Sequence, residues 1–386
     1  MPELAEAVKD TRAWACHDCG KCTATCPIPR AGGGYSPRRQ VLAAKAGGER
    51  ELLGNGTLFN CLTCGLCDSR CPAGVAYTDL VQRLRQIAWK KGVEPECPHG
   101  GALQSVMRMM ARGGTQQDRM AWLSPDLETD AATGNVFYWT GCTMYFDALF
   151  PELGLATLGG TRAAVRLMNR IGVRPVVSPE ERCCGHDLLW NGDREHFELL
   201  ARHNVELVAG SGAEVLVVSC GECVRTWKVD YRPFIDGKAP RVLHVSEYLA
   251  ENLARLGLRP GPKAHSGDGR RVTYQDPCRL GRHLGIYEPP RRLLDGLPGV
   301  ERVEMRHHGP AATCCAGGTW SSCDRYAKKI QVGRLREARA TGASVLAAAC
   351  PKCRIHLRCA MKDPHLGAEI RIEMRDIAEL VLEALP

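Results

Sequence analysis

Two cysteine motifs with the same spacing lie in the first fifth of the chain. Residues 16–27 read CHDCGKCTATCP and residues 61–72 read CLTCGLCDSRCP, so each motif is C-x2-C-x2-C-x3-C followed by proline. Thiolates are soft ligands that suit zinc and iron–sulfur clusters, and three closely spaced thiolates can bind three irons of one four-iron cluster. The repeated spacing therefore predicts two [4Fe-4S] cubane clusters.

The fourth cysteine of each motif determines how the ligands divide. This spacing is typical of bacterial ferredoxins, in which the fourth cysteine binds the cluster of the other motif. The predicted ligand sets are Cys16, Cys19, Cys22 with Cys71, and Cys61, Cys64, Cys67 with Cys26. Zinc knuckles are the alternative, because C-x2-C also suits tetrahedral zinc, but the third close cysteine in both motifs disfavours zinc.

Ten further cysteines recur in a duplicated order. The first copy contains Cys142, Cys183, Cys184, Cys220 and Cys223, and the second contains Cys278, Cys314, Cys315, Cys350 and Cys353. The flanks SGAEVLVVSCGEC and TGASVLAAACPKC align without a gap, each as an apolar strand that runs into C-x2-C. Five thiols are one more than a cubane needs. Either one thiol is spare, or the cluster is opened so that thiolates bridge irons, and two adjacent cysteines can address neighbouring irons.

The intervening patterns predict the elements that position these cysteines. Ser36, Pro37 and Gly47 are signals for the cap, first turn and end of a helix between the two ferredoxin motifs. A second helix follows Cys71, with an apolar face at helical spacing. That face consists of Leu80, Val81, Leu84, Ile87 and Ala88.

The composition and the periodicity of the sequence predict four segments. Residues 1–91 form a helical, ferredoxin-like domain with two clusters, and residues 92–134 form a connecting segment with some helix. From residue 135, short apolar runs alternate with helical patterns, which is typical of α/β units with a parallel sheet. Two duplicated α/β domains are predicted over 135–259 and 271–386, with the cysteines at the ends of strands, where open parallel sheets hold ligands.

Composition narrows the class of protein. The chain has 386 residues, 44% hydrophobic residues and 21 cysteines, and its start lacks the pattern of a secretion signal. We therefore expect the reducing cytoplasm, where closely spaced cysteines bind metals. No apolar run reaches the length of a membrane span, so no direct insertion is expected and attachment to the inner face of a membrane requires a partner protein.

Charge and missing motifs limit the partners. The formal charge of +8 counts every cysteine as neutral, and negatively charged clusters offset it, so nucleic acid is not expected as a partner. No G-x-G-x-x-G or P-loop motif indicates a bound nucleotide or flavin. Electrons are therefore expected to enter or leave through other subunits, either a flavoprotein or a membrane cytochrome b.

With a lone cysteine, a tandem pair and C-x2-C in each copy, residues 135–360 resemble the cysteine-rich CCG family. Ferredoxin motifs ahead of two such domains resemble the D-type chain of heterodisulfide reductases. The resemblance implies that each copy holds a noncubane [4Fe-4S] cluster and that a disulfide between two thiol coenzymes is reductively cleaved between the facing domains. The residues it implies as catalytic are Cys183, Cys184, Cys314 and Cys315. The expected function is an iron–sulfur oxidoreductase subunit that acts on sulfur groups.

The same architecture is similar to the iron–sulfur subunits of glycolate oxidase and anaerobic glycerol-3-phosphate dehydrogenase. In those relatives the chain passes electrons from a flavin partner to a quinone or cytochrome. An electron relay is therefore the alternative function.

Three residues beside the cysteines bear on the chemistry. The second tandem reads CCAGG, with Ala316 where the family has glycine, and alanine costs about 1 kcal/mol if that position needs positive φ. It stays open whether this copy holds a noncubane cluster. His186, which follows the first tandem together with Asp187, is the expected proton donor to a departing thiolate. Arg279, after Cys278, either stabilises a reduced cluster or contacts an acidic thiol substrate, and the alternative is that it starts a solvated helix.

Overall fold

The computed structural model describes residues 2–54, 56–114, 117–258 and 269–385. Residues 1, 259 and 386, which bound predicted domains, lie outside the described residues. The helices are α1 (Pro2–Asp10), α2 (Lys21–Thr25), α3 (Pro27–Arg30), α4 (Pro37–Lys45), α5 (Glu49–Gly54), α6 (Tyr77–Lys90), α7 (Ala102–Arg112), α8 (Thr143–Leu149), α9 (Thr157–Arg170), α10 (His186–Asn191), α11 (Arg194–Gly210), α12 (Gly221–Arg225), α13 (Val245–Glu251), α14 (Gly281–Leu284), α15 (Glu288–Asp295), α16 (Arg325–Ala340), α17 (Pro351–Met361) and α18 (Ile377–Glu383). The strands are β1 (Val136–Trp139), β2 (Val215–Val218), β3 (Arg241–His244), β4 (Arg270–Gln275), β5 (Val300–Arg302), β6 (Val345–Ala348) and β7 (Glu373–Asp376).

The chain divides into two units that do not follow its linear order. The first unit comprises Met1–Arg112, Gly185–Leu199 and Thr313–Gln331, and the second comprises Gly113–Cys184, Leu200–Ala312 and Val332–Pro386. The ferredoxin-like region therefore shares its unit with one segment that follows the first tandem cysteine pair and with another that contains the second pair.

The first unit is helical around the ferredoxin motifs. Helix α4 begins at Pro37, and the Ser36 hydroxyl caps it by accepting a hydrogen bond from the Arg39 N–H at 3.3 Å. The predicted helix is confirmed and ends at Lys45, ahead of Gly47. Helix α6 buries all five apolar residues predicted for its inner face, and Arg85 is buried among them.

Both sheets lie in the second unit and are entirely parallel. Strand order is β1-β2-β3 in one and β5-β4-β6-β7 in the other. Val176 forms an isolated parallel bridge with Phe137, at the place where the second sheet has β5 beside β4. The two copies therefore share one topology, which confirms the predicted duplicated α/β fold.

The two copies pack reciprocally within the second unit. Helix α9 of the first copy packs against α18, the last helix of the second, and α13, the last helix of the first copy, packs against α15 of the second. Because α9 corresponds to α15 and α13 to α18, each contact is the counterpart of the other. The copies are thus related by an approximate two-fold axis, as the protomers of a symmetric dimer are.

Candidate functional site

The two ferredoxin motifs fold in the same local way. Cys16 and Cys61 have φ/ψ values of −61°/124° and −65°/123°. Two residues later, Asp18 and Thr63 have positive φ values of 58° and 48°. This turn directs the Asp18 N–H to the Cys16 sulfur at 3.4 Å and the Thr63 N–H to the Cys61 sulfur at 3.3 Å. Such N–H donors favour the thiolate, which is the form that binds iron.

An outer set of cysteines lines one cavity near the surface. The set consists of Cys16, Cys19, Cys22 and Cys71, and Cys67 also lines this cavity. Cys19 is exposed and the other three are half-buried. Lys21 and Arg38 line the same cavity, and the Lys45 ammonium donates to the Cys16 carbonyl at 3.1 Å. Four thiol donors with cations around them fit a cluster that carries negative charge.

An inner set of cysteines is more deeply buried. The set consists of Cys26, Cys61, Cys64 and Cys67, of which the last three are 6%, 7% and 8% exposed. Burial raises the pKa of Cys26, and the neighbouring Cys64 and Cys61 thiolates raise it further. Burial likewise raises the pKa of Cys67, followed by the effects of Asp68 and of Cys61. The structure thus brings the fourth cysteine of the first motif to the first three of the second, and a metal bound there would displace the protons.

The inner set has polar groups packed around it. Burial raises the pKa of Cys61, and the charge of Arg85 opposes that rise, as does a hydrogen bond from the Tyr35 hydroxyl. Tyr35 also hydrogen-bonds to the hydroxyl of Tyr77. Hydrogen bonds and charges at the ligand sulfurs are the usual means by which a protein sets a cluster's reduction potential. Sequence reasoning missed both tyrosines and Arg85.

The first cysteine-rich copy brings its five thiols together in the second unit. The Cys142 and Cys183 sulfurs are 3.3 Å apart, and those of Cys184 and Cys223 are also 3.3 Å apart. Adjacent cysteines of the tandem therefore contact different partners. The pKa of Cys220 is lowered because its sulfur accepts a hydrogen bond from the Cys223 thiol, and then one from Cys350 of the second copy. These contacts link all five predicted ligands.

The second copy has its thiols in both units. Cys278, Cys350 and Cys353 belong to the second unit, whereas Cys314 and Cys315 are buried in the first. Their assembly into one ligand set stays a prediction. Ala316 has a φ of 60°, and its counterpart Gly185 has a φ of 73°. The position after the tandem cysteines thus requires positive φ in both copies.

A buried ion pair supports the first cysteine of each copy. In the first copy Arg119 contacts Glu181 at 3.1 Å, and the Glu181 carboxylate accepts the Thr140 N–H at 3.1 Å, two residues before Cys142. In the second copy Arg291 binds both oxygens of Asp276, at 2.8 and 3.0 Å, two residues before Cys278. Sequence reasoning missed these pairs because Arg119 and Arg291 are distant in sequence from the motifs that they support.

The two C-x2-C motifs of the copies meet within the second unit. Glu222 and Lys352, the third residues of CGEC and CPKC, form an ion pair at 2.8 Å with side chains that are 12% and 4% exposed. A Cβ atom added to Gly221 would lie 3.1 Å from the Leu280 side chain, two residues after Cys278. The strand ends that carry the cysteines of the two copies therefore face each other.

The remaining predicted residues are also buried. His186 is 1% exposed, its Nδ1 lies 3.1 Å from an Asp187 carboxylate oxygen, and its ring stacks on Trp190 at 5.9 Å. Its role as a proton donor stays a prediction. Arg279 is 3% exposed and its guanidinium lies 2.7 Å from His283 Nε2, so it does not start a solvated helix.

Comparison with protein families matches both parts of the chain. A "4Fe-4S dicluster domain" matches residues 15–76, and a "Cysteine-rich domain" matches residues 136–227 and 272–358. The chain is therefore an iron–sulfur protein with one dicluster domain and two cysteine-rich domains. None of the helices in the described part of the chain combines the length and the apolar composition that a membrane span requires.

Several curated proteins are similar to this chain. It is 34% identical over 277 residues to the D chain of the dihydromethanophenazine:CoB–CoM heterodisulfide reductase of Methanosarcina acetivorans, covering 70% of this chain and 63% of the relative. It is 28% identical to the B chain of the fumarate reductase (CoM/CoB) of Methanothermobacter marburgensis, covering 63% of this chain and 45% of the relative. It is 27% identical to "Probable iron-sulfur-binding oxidoreductase FadF" of Bacillus subtilis, covering 64% and 34%. The chain thus spans less than two thirds of the length of these relatives.

Proposed function

We propose that this chain, which is similar to the D chain of heterodisulfide reductases, is an oxidoreductase subunit. Its reaction is the reduction of a disulfide, or the oxidation of two thiols, at its paired cysteine-rich domains. Two [4Fe-4S] cubanes are held by the outer and inner cysteine sets. Each cysteine-rich copy holds a further, noncubane [4Fe-4S] cluster. The observation that supports this function most is the meeting of the two C-x2-C motifs through Glu222 and Lys352.

The residues of the chain have distinct roles in this reaction. Cleavage of a disulfide RSSR′ to RSH and R′SH takes two electrons and two protons. Bound clusters supply the one-electron redox chemistry. Cys183 and Cys184 direct their sulfurs to different partners in the first set, and Cys314 and Cys315 take the same part in the second. His186 supplies a proton from a buried position beside Asp187.

The electrons reach the cubanes from another protein of the complex, either a flavoprotein or a membrane cytochrome b. The half-exposed outer set is the point of entry and the buried inner set is next in line. A cytochrome partner would hold the chain at the inner face of a membrane. The relay alternative uses the same path but passes electrons to a quinone or cytochrome, and it stays the second candidate.

A single assay distinguishes the two functions. The chain, purified without oxygen, is mixed with reduced viologen and the CoB–CoM heterodisulfide for which the methanogen relatives are named. We expect two viologen radicals to be oxidised per disulfide cleaved. Cys184→Ser should abolish the reaction, whereas Cys97→Ser, outside both cysteine-rich sets, should retain it. No oxidation by this disulfide or by glutathione disulfide, together with reduction of an added quinone, would establish the relay.

A further inference from the structure

An arginine lies at the centre of the first unit. Arg85 is on α6 and is 0% exposed, although most of the other buried residues of that helix are apolar. Arginine is almost never fully buried unless its charge and its donors are satisfied by specific contacts. The positions of its acceptors therefore indicate what this side chain does.

One edge of the guanidinium binds the short 3-10 helix Thr57–Asn60 and the cysteine that follows it. Nη2 donates to the Cys61 carbonyl at 2.8 Å and to the Leu58 carbonyl at 3.1 Å, and Nε donates to the Leu58 carbonyl at 3.4 Å. The cation also lies 5.1 Å from the centre of the Phe59 ring. These contacts fix residues 58–61 and place a positive charge near Cys61, one of the four cysteines of the inner set.

The other edge binds the two segments associated with the tandem cysteines. Nη1 donates to the Trp190 carbonyl at 2.9 Å and to the Thr319 hydroxyl at 3.3 Å. Asn191 Nδ2 donates to the Thr319 carbonyl at 2.8 Å, so these two segments are also joined to each other. A Cβ atom on Gly192 would lie 2.2 Å from the Arg85 carbonyl, which shows how closely the backbone after α10 approaches α6.

From these contacts we propose that Arg85 is a positioning residue whose buried charge raises the reduction potential of the cubane held by the inner set. The proposal rests on the cubane ligation given under the proposed function. Reduction adds one electron, and therefore one negative charge, to a bound cluster. A fixed cation in a poorly solvated interior stabilises that added charge far more than an exposed cation does, because solvent screens the exposed one.

The test is a redox titration of the intact chain, loaded with its clusters and poised with mediator dyes without any disulfide. Paramagnetic resonance follows the inner and outer cubanes, and spectra of Cys26→Ser and Cys71→Ser assign the two signals. Arg85→Gln removes the charge and keeps a shorter side chain that can still donate hydrogen bonds, and Arg85→Lys keeps the charge. The matched control is Arg83→Gln on the same helix, because Arg83 is 40% exposed and pairs with Asp10 at 3.0 Å.

We expect Arg85→Gln to lower the ratio of reduced to oxidised inner cubane at a fixed potential by about tenfold, which corresponds to about 59 mV for a one-electron couple. The outer cubane should shift by less than half as much. Arg85→Lys and Arg83→Gln should stay within about threefold of the unmodified ratio. A merely structural role for Arg85 would lower cluster content or stability without moving this potential.

An unchanged inner potential in Arg85→Gln, or an equal shift in Arg83→Gln, would overturn the proposal. If Arg85→Gln fails to load the inner cubane, the Arg85→Lys variant decides the test. A reduction potential of the inner cubane equal to that of the unmodified chain supports the proposal, and a tenfold change in the ratio of reduced to oxidised cubane refutes it. Loss of the inner cubane in both variants would also refute it, because Arg85 would then serve assembly alone. Failure of the disulfide assay leaves this titration unaffected, so the two proposals fail separately.

Discussion

Glu222 and Lys352 occupy equivalent positions in the two C-x2-C motifs, and their side chains form a buried ion pair at 2.8 Å. A residue on an exact two-fold axis would meet its own copy, and two like charges would repel each other. Duplication within one chain has allowed the two positions to differ, so one is acidic and the other basic. The positions of the two residues are therefore symmetric in the two copies, whereas their charges are not.

This pair predicts a charge-swap result. Glu222→Gln or Lys352→Met removes one charge of this buried pair, which costs about 3–5 kcal/mol of unfolding free energy. The double variant Glu222→Lys with Lys352→Glu restores the pair in reverse and should recover more than half of that loss. Urea unfolding of the single and double variants measures it. If the double variant is no more stable than the singles, the two side chains do not interact as described.

Two substitutions at the residue after each tandem cysteine pair should differ in their effect on stability. Gly185 and Ala316 both have positive φ, at 73° and 60°. Gly185→Ala should therefore lower the unfolding free energy by about 1 kcal/mol, because a left-handed backbone is unfavourable for a residue with a Cβ atom. Ala316→Gly should not lower the unfolding free energy, although glycine usually does so by its greater conformational entropy, because glycine adopts a positive φ without a steric penalty. Thermal unfolding of both variants checks the signs, and a stabilising Gly185→Ala would contradict the assigned backbone.

The exchange of fourth cysteines predicts which cubane each variant loses. Cys26 follows the first motif in sequence but lies with Cys61, Cys64 and Cys67, so Cys26→Ser should remove or convert the inner cubane and spare the outer one. Cys71→Ser should do the reverse. Iron content and paramagnetic resonance of the two variants provide the measurement. Loss of the outer cubane in Cys26→Ser would mean that each motif binds its own cluster.

His244 predicts a loss of stability in mild acid. It caps α13 by accepting the Ser246 N–H on Nδ1 at 3.1 Å, and burial lowers its pKa to about 4. An unfolded histidine has a pKa near 6.5, so its contribution is present above that pH and is lost as the pH falls towards 4. Between pH 7 and pH 5 the unfolding free energy should fall by about 2 kcal/mol from this group. His244→Asn keeps a capping side chain without titrating.

Urea unfolding at the two pH values, with and without this substitution, measures the contribution of His244. The difference between pH 7 and pH 5 should be smaller in His244→Asn by about 2 kcal/mol. Equal differences in the two proteins would mean that His244 titrates alike in the folded and unfolded states.

Local signals made much of this architecture predictable. Ser36 and Pro37 start a helix by capping and by a preset φ, and the apolar spacing of α6 identifies its buried face without knowledge of its neighbours. The duplicated cysteine order and the aligned strands around C-x2-C predicted two copies of one α/β topology. These features depend on residues that are close in sequence.

The unpredicted features depend on residues that are far apart in sequence. In the sequence, Arg85 is one polar position on an amphipathic helix. Its burial is explained by the hydrogen bonds that it donates to Trp190 and Thr319, which are distant in sequence. Arg119 lies in the segment 92–134, which was predicted only to connect two domains. Its guanidinium nevertheless forms an ion pair with Glu181, next to the first cysteine-rich set. The segments Gly185–Leu199 and Thr313–Gln331 belong to the same unit as the ferredoxin-like region, and no local sequence pattern predicts this.

The number of iron atoms per chain tests the central claim most directly. Protein purified without oxygen should contain about sixteen irons and as many acid-labile sulfides, the sum of four four-iron clusters. Cys184→Ser should contain about twelve, with both cubane signals intact. About eight irons in the unmodified chain, with zinc or nothing in the cysteine-rich domains, would contradict the account.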